Sequence, residues 1–331
     1  MMTSRRAVLF AATSLFALPL SAPRLASAQG IWPSRPVRAI LSFPPGGAID
    51  TVTRLIAPHF GEILGQPLVV ENRGGAVGSI AAGAVATAPA DGLTLLFDAS
   101  QHVAAPFLLN NLPFRYETAF APVTQLTSVP LLLATPLTLP VANIAEFLAL
   151  GRARAAAGRP LTYASGGNGA STHYAGVLFQ NLAGFEVTHV PFRGGGPAVQ
   201  ALLAGTVDFH IGTVGSTAAM VREGRLRGLA VSTPARLPAF ADLPTLQEAG
   251  LAGYDWNEWG GVFAPASTSE AVIARLQTTL REALLQPGVQ ERLSGIGMVA
   301  VASPPADFAL FVSAQRELTG RLTRAARISA D

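Results

Sequence analysis

Cysteine and lysine are both absent from this chain of 331 residues. Without cysteine there is no disulfide, no thiol nucleophile, no iron–sulfur cluster and no cysteine-based zinc site. Without lysine there is no Schiff-base chemistry, no Walker A loop of the usual form and no kinase of the standard type. All 23 basic residues are therefore arginine. Charge of either sign is scarce: 13% of the residues are charged and 50% are hydrophobic, about half the usual charged fraction of a soluble protein. A disordered chain is excluded, and the length is enough for about two ordinary domains around a large core.

The formal net charge is +3, and the first 28 residues account for it. They hold Arg5, Arg6 and Arg24 and no acidic residue, which leaves 20 arginines against 20 acidic residues in the remainder. No basic stripe is present, so nucleic-acid binding is not expected. The segment has the three parts of an export signal. Arg5 and Arg6 form the positive region, Ala7 to Leu20 is apolar, and Ala26-Ser27-Ala28 is a small-residue cleavage site. Ser4-Arg5-Arg6-Ala7-Val8-Leu9-Phe10 resembles a twin-arginine signal, and a general secretory signal fits as well. Leu126 to Leu150 is apolar but broken by Pro130, Pro136 and Pro140, so no later stretch reads as a membrane span. The expected mature protein is exported and soluble.

Strand-like runs alternate with helical ones. Val37–Phe43, Pro67–Glu71 and Leu93–Phe97 read as strands, with helices at Asp50–Ile63 and Ser79–Ala88 between them. The first helix carries Val52, Leu55, Ile56, Phe60 and Ile63 at helical spacing. Such a βαβαβ unit calls for a parallel sheet covered by helices on both faces. The pattern restarts with strands at Leu131–Ala134, Leu161–Ala164, Val187–Val190, Val207–Ile211 and Leu229–Val231. Helices are expected at Ile144–Ala156, Ser171–Leu182 and Pro197–Ala204. A strand at Trp259–Ala264 precedes helices at Ala271–Leu285, Gly288–Leu293 and Pro305–Arg327, which can return to the first unit. The fold class is α/β in two lobes, joined through an apolar, proline-rich connection.

Three strand-to-helix junctions have the composition of a binding site. The first, Ser42 to Asp50, includes Phe43, Pro45, Gly46 and Gly47. Glycines between a strand and a helix leave backbone N–H groups free at a positively polarised helix end, which suits a carboxylate or phosphate. Asp50 reads as the helix cap or as a ligand contact. The second junction, Ser165-Gly166-Gly167-Asn168-Gly169-Ala170-Ser171-Thr172-His173, adds three hydroxyls at Ser165, Ser171 and Thr172. Its glycine spacing does not match a dinucleotide fingerprint, and no acidic residue follows at the right distance. The third, His189 to Gly196, places Arg193 among glycines. That residue has the fork to clamp a carboxylate, and equally reads as a surface arginine in a turn.

Signals for catalysis are thin. The five histidines, His59, His102, His173, His189 and His210, show no metal-binding pair spacing, and no G-x-S-x-G elbow exists. Each histidine reads as structural or solvated. No cofactor, no metal and no enzymatic activity are expected.

In this order, the junctions and their flanks resemble the solute-binding receptors of tripartite tricarboxylate transporters, the Bug family. The matching stretches cover nearly the whole mature chain. They include Trp32-Pro33-Ser34-Arg35-Pro36-Val37, Pro45-Gly46-Gly47 with Asp50 and Arg54, and Leu64 to Arg73. Asp91 to Leu96, Phe120 to Val123, Ser165 to His173, His189 to Gly194 and Leu203 to Asp208 follow. Leu243-Pro244-Thr245, Glu248-Ala249-Gly250 and Trp259-Gly260-Gly261 with Ala264-Pro265 complete the set. The resemblance implies a type II periplasmic binding protein, a Venus flytrap whose two α/β lobes are joined by crossover strands. After the signal at 1–28, lobe 1 would span 29–126 plus 256–331, and lobe 2 would span 127–255. A monomer in the periplasm is implied, holding a small carboxylate between the lobes and serving the membrane subunits of a transporter. A receptor that signals through a membrane sensor kinase would look the same in sequence.

The ligand-contact set implied is Phe43, Pro45, Gly46, Gly47, Asp50, Ser165, Gly166, Gly167, Gly169, Ser171, Thr172, Phe192 and Arg193. Phe192 and Arg193 stand where the family usually has Tyr and Lys, and losing that hydroxyl bears on what the cleft prefers. Gly74 to Gly78 and Thr268-Ser269 also depart from the family pattern, away from the expected ligand. With no lysine, anion binding in this chain falls to backbone N–H groups, hydroxyls and arginine.

Overall fold

The structure, a computed structural model, describes residues 32–329. The export-signal reading on residues 1–28 lies outside that range. The chain begins with β1 (Val37–Leu41), α1 (Ala48–Leu64), β2 (Leu68–Asn72), α2 (Ser79–Ala86) and β3 (Thr94–Ala99). β1 pairs in parallel with both β2 and β3, as the βαβαβ reading requires. In α1 the buried residues Ile49, Val52, Ile56, Phe60 and Leu64 follow the helical spacing, and the helix stops at Gly65 in the left-handed conformation. α3 (Gln101–Leu108), α4 (Tyr116–Ala119), β4 (Phe120–Val129) and β5 (Leu131–Pro136) follow.

The second sheet continues through α5 (Ile144–Ala156), β6 (Leu161–Ser165), α6 (Ser171–Ala183), β7 (Val187–Pro191), α7 (Gly195–Leu203), β8 (Phe209–Thr213), α8 (Val214–Arg222) and β9 (Leu226–Val231). The chain then returns to the first sheet in β10 (Glu258–Pro265). It ends with α9 (Glu270–Leu284), α10 (Pro287–Gly295), β11 (Val299–Ala300) and α11 (Pro305–Ala326). The two sheets run β11-β4-β10-β3-β1-β2 and β7-β6-β8-β5-β9. Each combines a parallel unit with antiparallel neighbours: β10 against β3 and β4, and β5 against β8 and β9.

Two crossings join the sheets. The first is short: β4 stays in the first sheet to Val129, and β5 opens the second at Leu131. The switch therefore falls at Pro130 rather than after residue 126. The return runs through residues 232–257, and Trp256 still packs in the second core although 256 was expected to open the return to lobe 1. Ser232 ties the crossings together. Its hydroxyl accepts the Leu131 N–H at 2.8 Å and donates to Asn257 Oδ1 at 2.8 Å. A proline at the switch suits a site where the chain leaves one ladder before entering the next.

Separate aromatic clusters fill the two cores. Phe147, Phe179 and Phe209 pack within the second, and Phe263, Phe308 and Trp259 within the first. The C-terminal helix α11 belongs to both. Phe308 and Val312 lie in the first core, Leu322 in the second, and Thr323 Oγ1 is 2.8 Å from Tyr174 Oη on α6. The expected return to the first lobe holds for the start of this helix, and its end is shared with the other lobe. Among the described residues no helix is long and apolar enough to cross a membrane.

The placement of α11 depends on a bare backbone in β10. A Cβ at Gly261 would run into the Phe308 ring. Gly261→Ala should therefore destabilise the fold by about 1–3 kcal/mol through overpacking. A lower midpoint in urea unfolding with an unchanged slope checks this.

Candidate functional site

The first junction is held by a closed polar network. Gly46, at φ 83°, makes the turn that ends on Gly47, the N-cap of α1. Asp50 is buried in the first helical turn, not at the cap. Its Oδ2 accepts the Gly46 N–H at 2.9 Å, its Oδ1 accepts Asn72 Nδ2 at 2.9 Å, and Arg54 Nε donates to both oxygens at 3.0 Å. Asn72 Nδ2 also reaches the Phe43 carbonyl at 3.0 Å. Burial pushes the Asp50 carboxyl up, but the bonds from Arg54, Gly46 and Asn72 outweigh it and hold the group below its ordinary range. The acceptors of Asp50 are thus committed inside the protein. Its role is to shape the loop, and Arg54 neutralises a charge that would otherwise oppose an incoming anion. The start of α1 has no side-chain cap, so the first-turn N–H groups of Ala48 and Ile49 are not met by one.

The second and third junctions form one unit on the second sheet. Thr172 Oγ1 accepts the Gly166 N–H at 2.8 Å, and Ser165 Oγ accepts the Gly167 N–H at 3.1 Å. The turn is glycine-specific, with φ of 128° at Gly167 and 69° at Gly169. The Phe192 and Gly194 N–H groups donate to the Ser165 and Gly166 carbonyls at 3.0 and 3.1 Å. Phe192 is half-buried against the core beneath α7, and Arg193 is exposed. Behind the loop, His173 and His189 stack at 3.8 Å, with Ser165 Oγ 2.6 Å from His189 Nε2. Burial lowers both rings to about 4, helped at His173 by the neighbouring His189. Both are therefore neutral near pH 7 and serve as supports for the loop.

A cavity of about 140 Å³ opens beside the start of α1. Its wall includes Phe43, Ala48, Ile49, Val129, Trp259 and Glu258. Of the residues expected from the sequence, Phe43 alone borders it. Pro45, Gly46 and Gly47 adjoin it on the same loop. The cluster of Ser165, Gly166, Gly167, Gly169, Thr172, Phe192 and Arg193 stands apart on the second sheet. Ser171 makes the link: Trp256 Nε1 donates to its carbonyl and hydroxyl oxygens at 3.0 Å, and its hydroxyl acts on Glu258.

Glu258 was missed by the sequence reading. It is deeply set, yet part of its surface is accessible because it faces the cavity. Its Oε1 accepts N–H bonds from Ser100 (3.2 Å) and Trp259 (3.1 Å), and its Oε2 accepts the Ser100 hydroxyl at 2.9 Å. Burial raises its pKa above the ordinary carboxylate value, and these bonds counter only part of the effect. The only sequence signal was an acidic residue opening an otherwise apolar strand. Among the described residues no group of three or more His, Asp or Glu is placed to hold a metal ion.

Two α/β lobes joined by paired crossings, each presenting a glycine-rich strand-to-helix loop, define the periplasmic binding protein class. Solved structures of that class match over nearly the full chain. An R. palustris protein solved with adipate has a TM-score of 0.75 and 33% identity, over 90% of this chain and 99% of that one. MatC from Rhodopseudomonas palustris with bound malate has a TM-score of 0.71 and 34% identity, over 88% and 99%. Protein BugT of Bordetella pertussis is 33% identical over 302 residues, 90% of this chain and 89% of BugT. The profile of the tripartite tricarboxylate transporter family receptor matches residues 52–328, and the chain belongs to that family.

Asp50→Ala should cost about 1–3 kcal/mol, because it strands the Gly46 N–H, Asn72 and Arg54. The Asp50 carboxyl is depressed in the folded state, so its contribution is present above the unfolded carboxylate value and lost as pH falls through the folded one. Denaturant unfolding of wild type and variant at neutral pH and near pH 3 should show the gap narrowing in acid.

Proposed function

We propose that the chain is an exported receptor that captures a small organic carboxylate between its lobes and delivers it to the membrane subunits of a tripartite tricarboxylate-type transporter. The observation that carries this reading is the meeting of an uncapped helix start with a cavity. Ala48 and Ile49 supply first-turn N–H groups at the positive end of the 17-residue α1, and both residues border the cavity. A carboxylate at that end would be met by aligned dipoles rather than by a full cation. Bound adipate and malate in two relatives support the same ligand chemistry.

The loop from Phe43 to Gly47 faces the ligand from one lobe, with Asp50 holding its shape. The loop from Ser165 to Thr172, with Phe192 and Arg193, closes from the other. Contacts from both sides favour the closed arrangement, and closure about the paired crossings is what a membrane partner can recognise. The working halves on this reading are 29–126 with 256–331, and 127–255, adjusted at the switch to Pro130. Residues 1–28 direct export to the periplasm and are removed.

A thermal-unfolding screen of carboxylates on the mature chain tests the reading. A ligand present at 100 times its Kd should add about 2.7 kcal/mol to stability and raise the midpoint. A panel of mono-, di- and tricarboxylates in which none moves the midpoint would refute it.

A further inference from the structure

The cavity also restricts which carboxylate fits, an inference that rests on the function proposed above. Its volume is about 140 Å³, close to the ~150 Å³ apolar cavity that accepts benzene. The space therefore suits a ring or branched tail of about six carbons. Phe43, Ala48, Ile49, Val129 and Trp259 make most of its wall apolar. Among the described residues no arginine borders it, and the chain has no lysine to offer. Among the described residues the single ionisable group on the wall is acidic, Glu258.

We infer that this cavity selects a monocarboxylate with an apolar tail, and that Glu258 excludes ligands carrying a second carboxylate at the far end. A monocarboxylate places its charge at the start of α1 and its tail against Phe43, Ile49 and Val129. A dicarboxylate must bring its second charge into the same space. That charge loses its water there and faces the acidic side chain of Glu258, with no basic side chain among the described residues of the wall to meet it. Glu258 cannot turn aside easily, because Ser100 and Trp259 hold both its oxygens.

This selectivity separates the chain from its relatives solved with adipate and malate. Gly260 contributes to the same shape: a Cβ there would crowd Ile49 and Thr127, so the bare backbone lets both close on β10.

Titration calorimetry of the mature chain at neutral pH with benzoate, hexanoate, adipate and malate tests the inference. Benzoate or hexanoate should bind at least about tenfold more tightly than adipate or malate. Glu258→Gln should narrow the ratio of benzoate to adipate affinity by about fivefold or more. Wild-type protein that binds adipate or malate as tightly as benzoate overturns the inference while leaving the carboxylate receptor intact, and needs no variant to do so. A folded Glu258→Gln protein with an unchanged ratio removes Glu258 from the selection. If none of the four binds and the wider carboxylate screen is also negative, the proposed function and this inference fall together.

Discussion

Glu258 is the constraint around which the joint between the lobes is arranged. A carboxylate set that deep is costly unless donors surround it. Ser100 supplies two of them from the end of β3, and the Trp259 N–H supplies a third. Ser171, the first residue of α6, supports it from the other lobe and is itself fixed by the Trp256 indole. One side chain on a crossing strand therefore gathers the start of a helix from each half of the fold. It also leaves an acidic group, not a basic one, beside the space where the start of α1 faces inward.

The remaining architecture keeps that joint in register. Ser232 links the two crossings, and α11 lies along both cores, with Phe308 in one and Leu322 in the other. Around these ties the two sheets can keep separate cores while sharing a hinge. Hinge closure of such lobes needs a few crossing residues that absorb rotation, with rigid units on either side. The stacked His173 and His189 fit that requirement on the second lobe. They are neutral near pH 7 and brace the glycine loop through Ser165. The Asp50 network does the same for the first.

Much of this was legible in the sequence. The βαβαβ start, the restart after Leu131 and the long C-terminal helices all follow the hydrophobic period. β4 did not, because Thr124, Gln125, Thr127 and Ser128 interrupt the apolar run that would mark a central strand, although Thr124, Gln125 and Thr127 lie buried in the sheet. α3 and α8 were hidden by Pro106 in one and by Gly215, Ser216 and Thr217 in the other, residues that score against helix until packing overrides them. The glycine loops were found by their position between strand and helix. The cavity they adjoin was not, because Ala48, Ile49, Val129 and Trp259 are ordinary core types whose role depends on the fold. Asp50 illustrates the limit: an acidic residue at a helix start reads as cap or contact, and only the geometry shows its oxygens turned to Gly46, Asn72 and Arg54.

The central claim is that the start of α1 and the cavity beside Glu258 together hold an apolar-tailed carboxylate. A crystal structure of the mature chain with benzoate tests it most directly. The account predicts the carboxylate within hydrogen-bonding reach of the Ala48 and Ile49 N–H groups, with the ring in the cavity lined by Phe43, Ile49 and Val129. Benzoate bound elsewhere, for instance on exposed Arg193 with the cavity beside Trp259 left without it, would contradict the account.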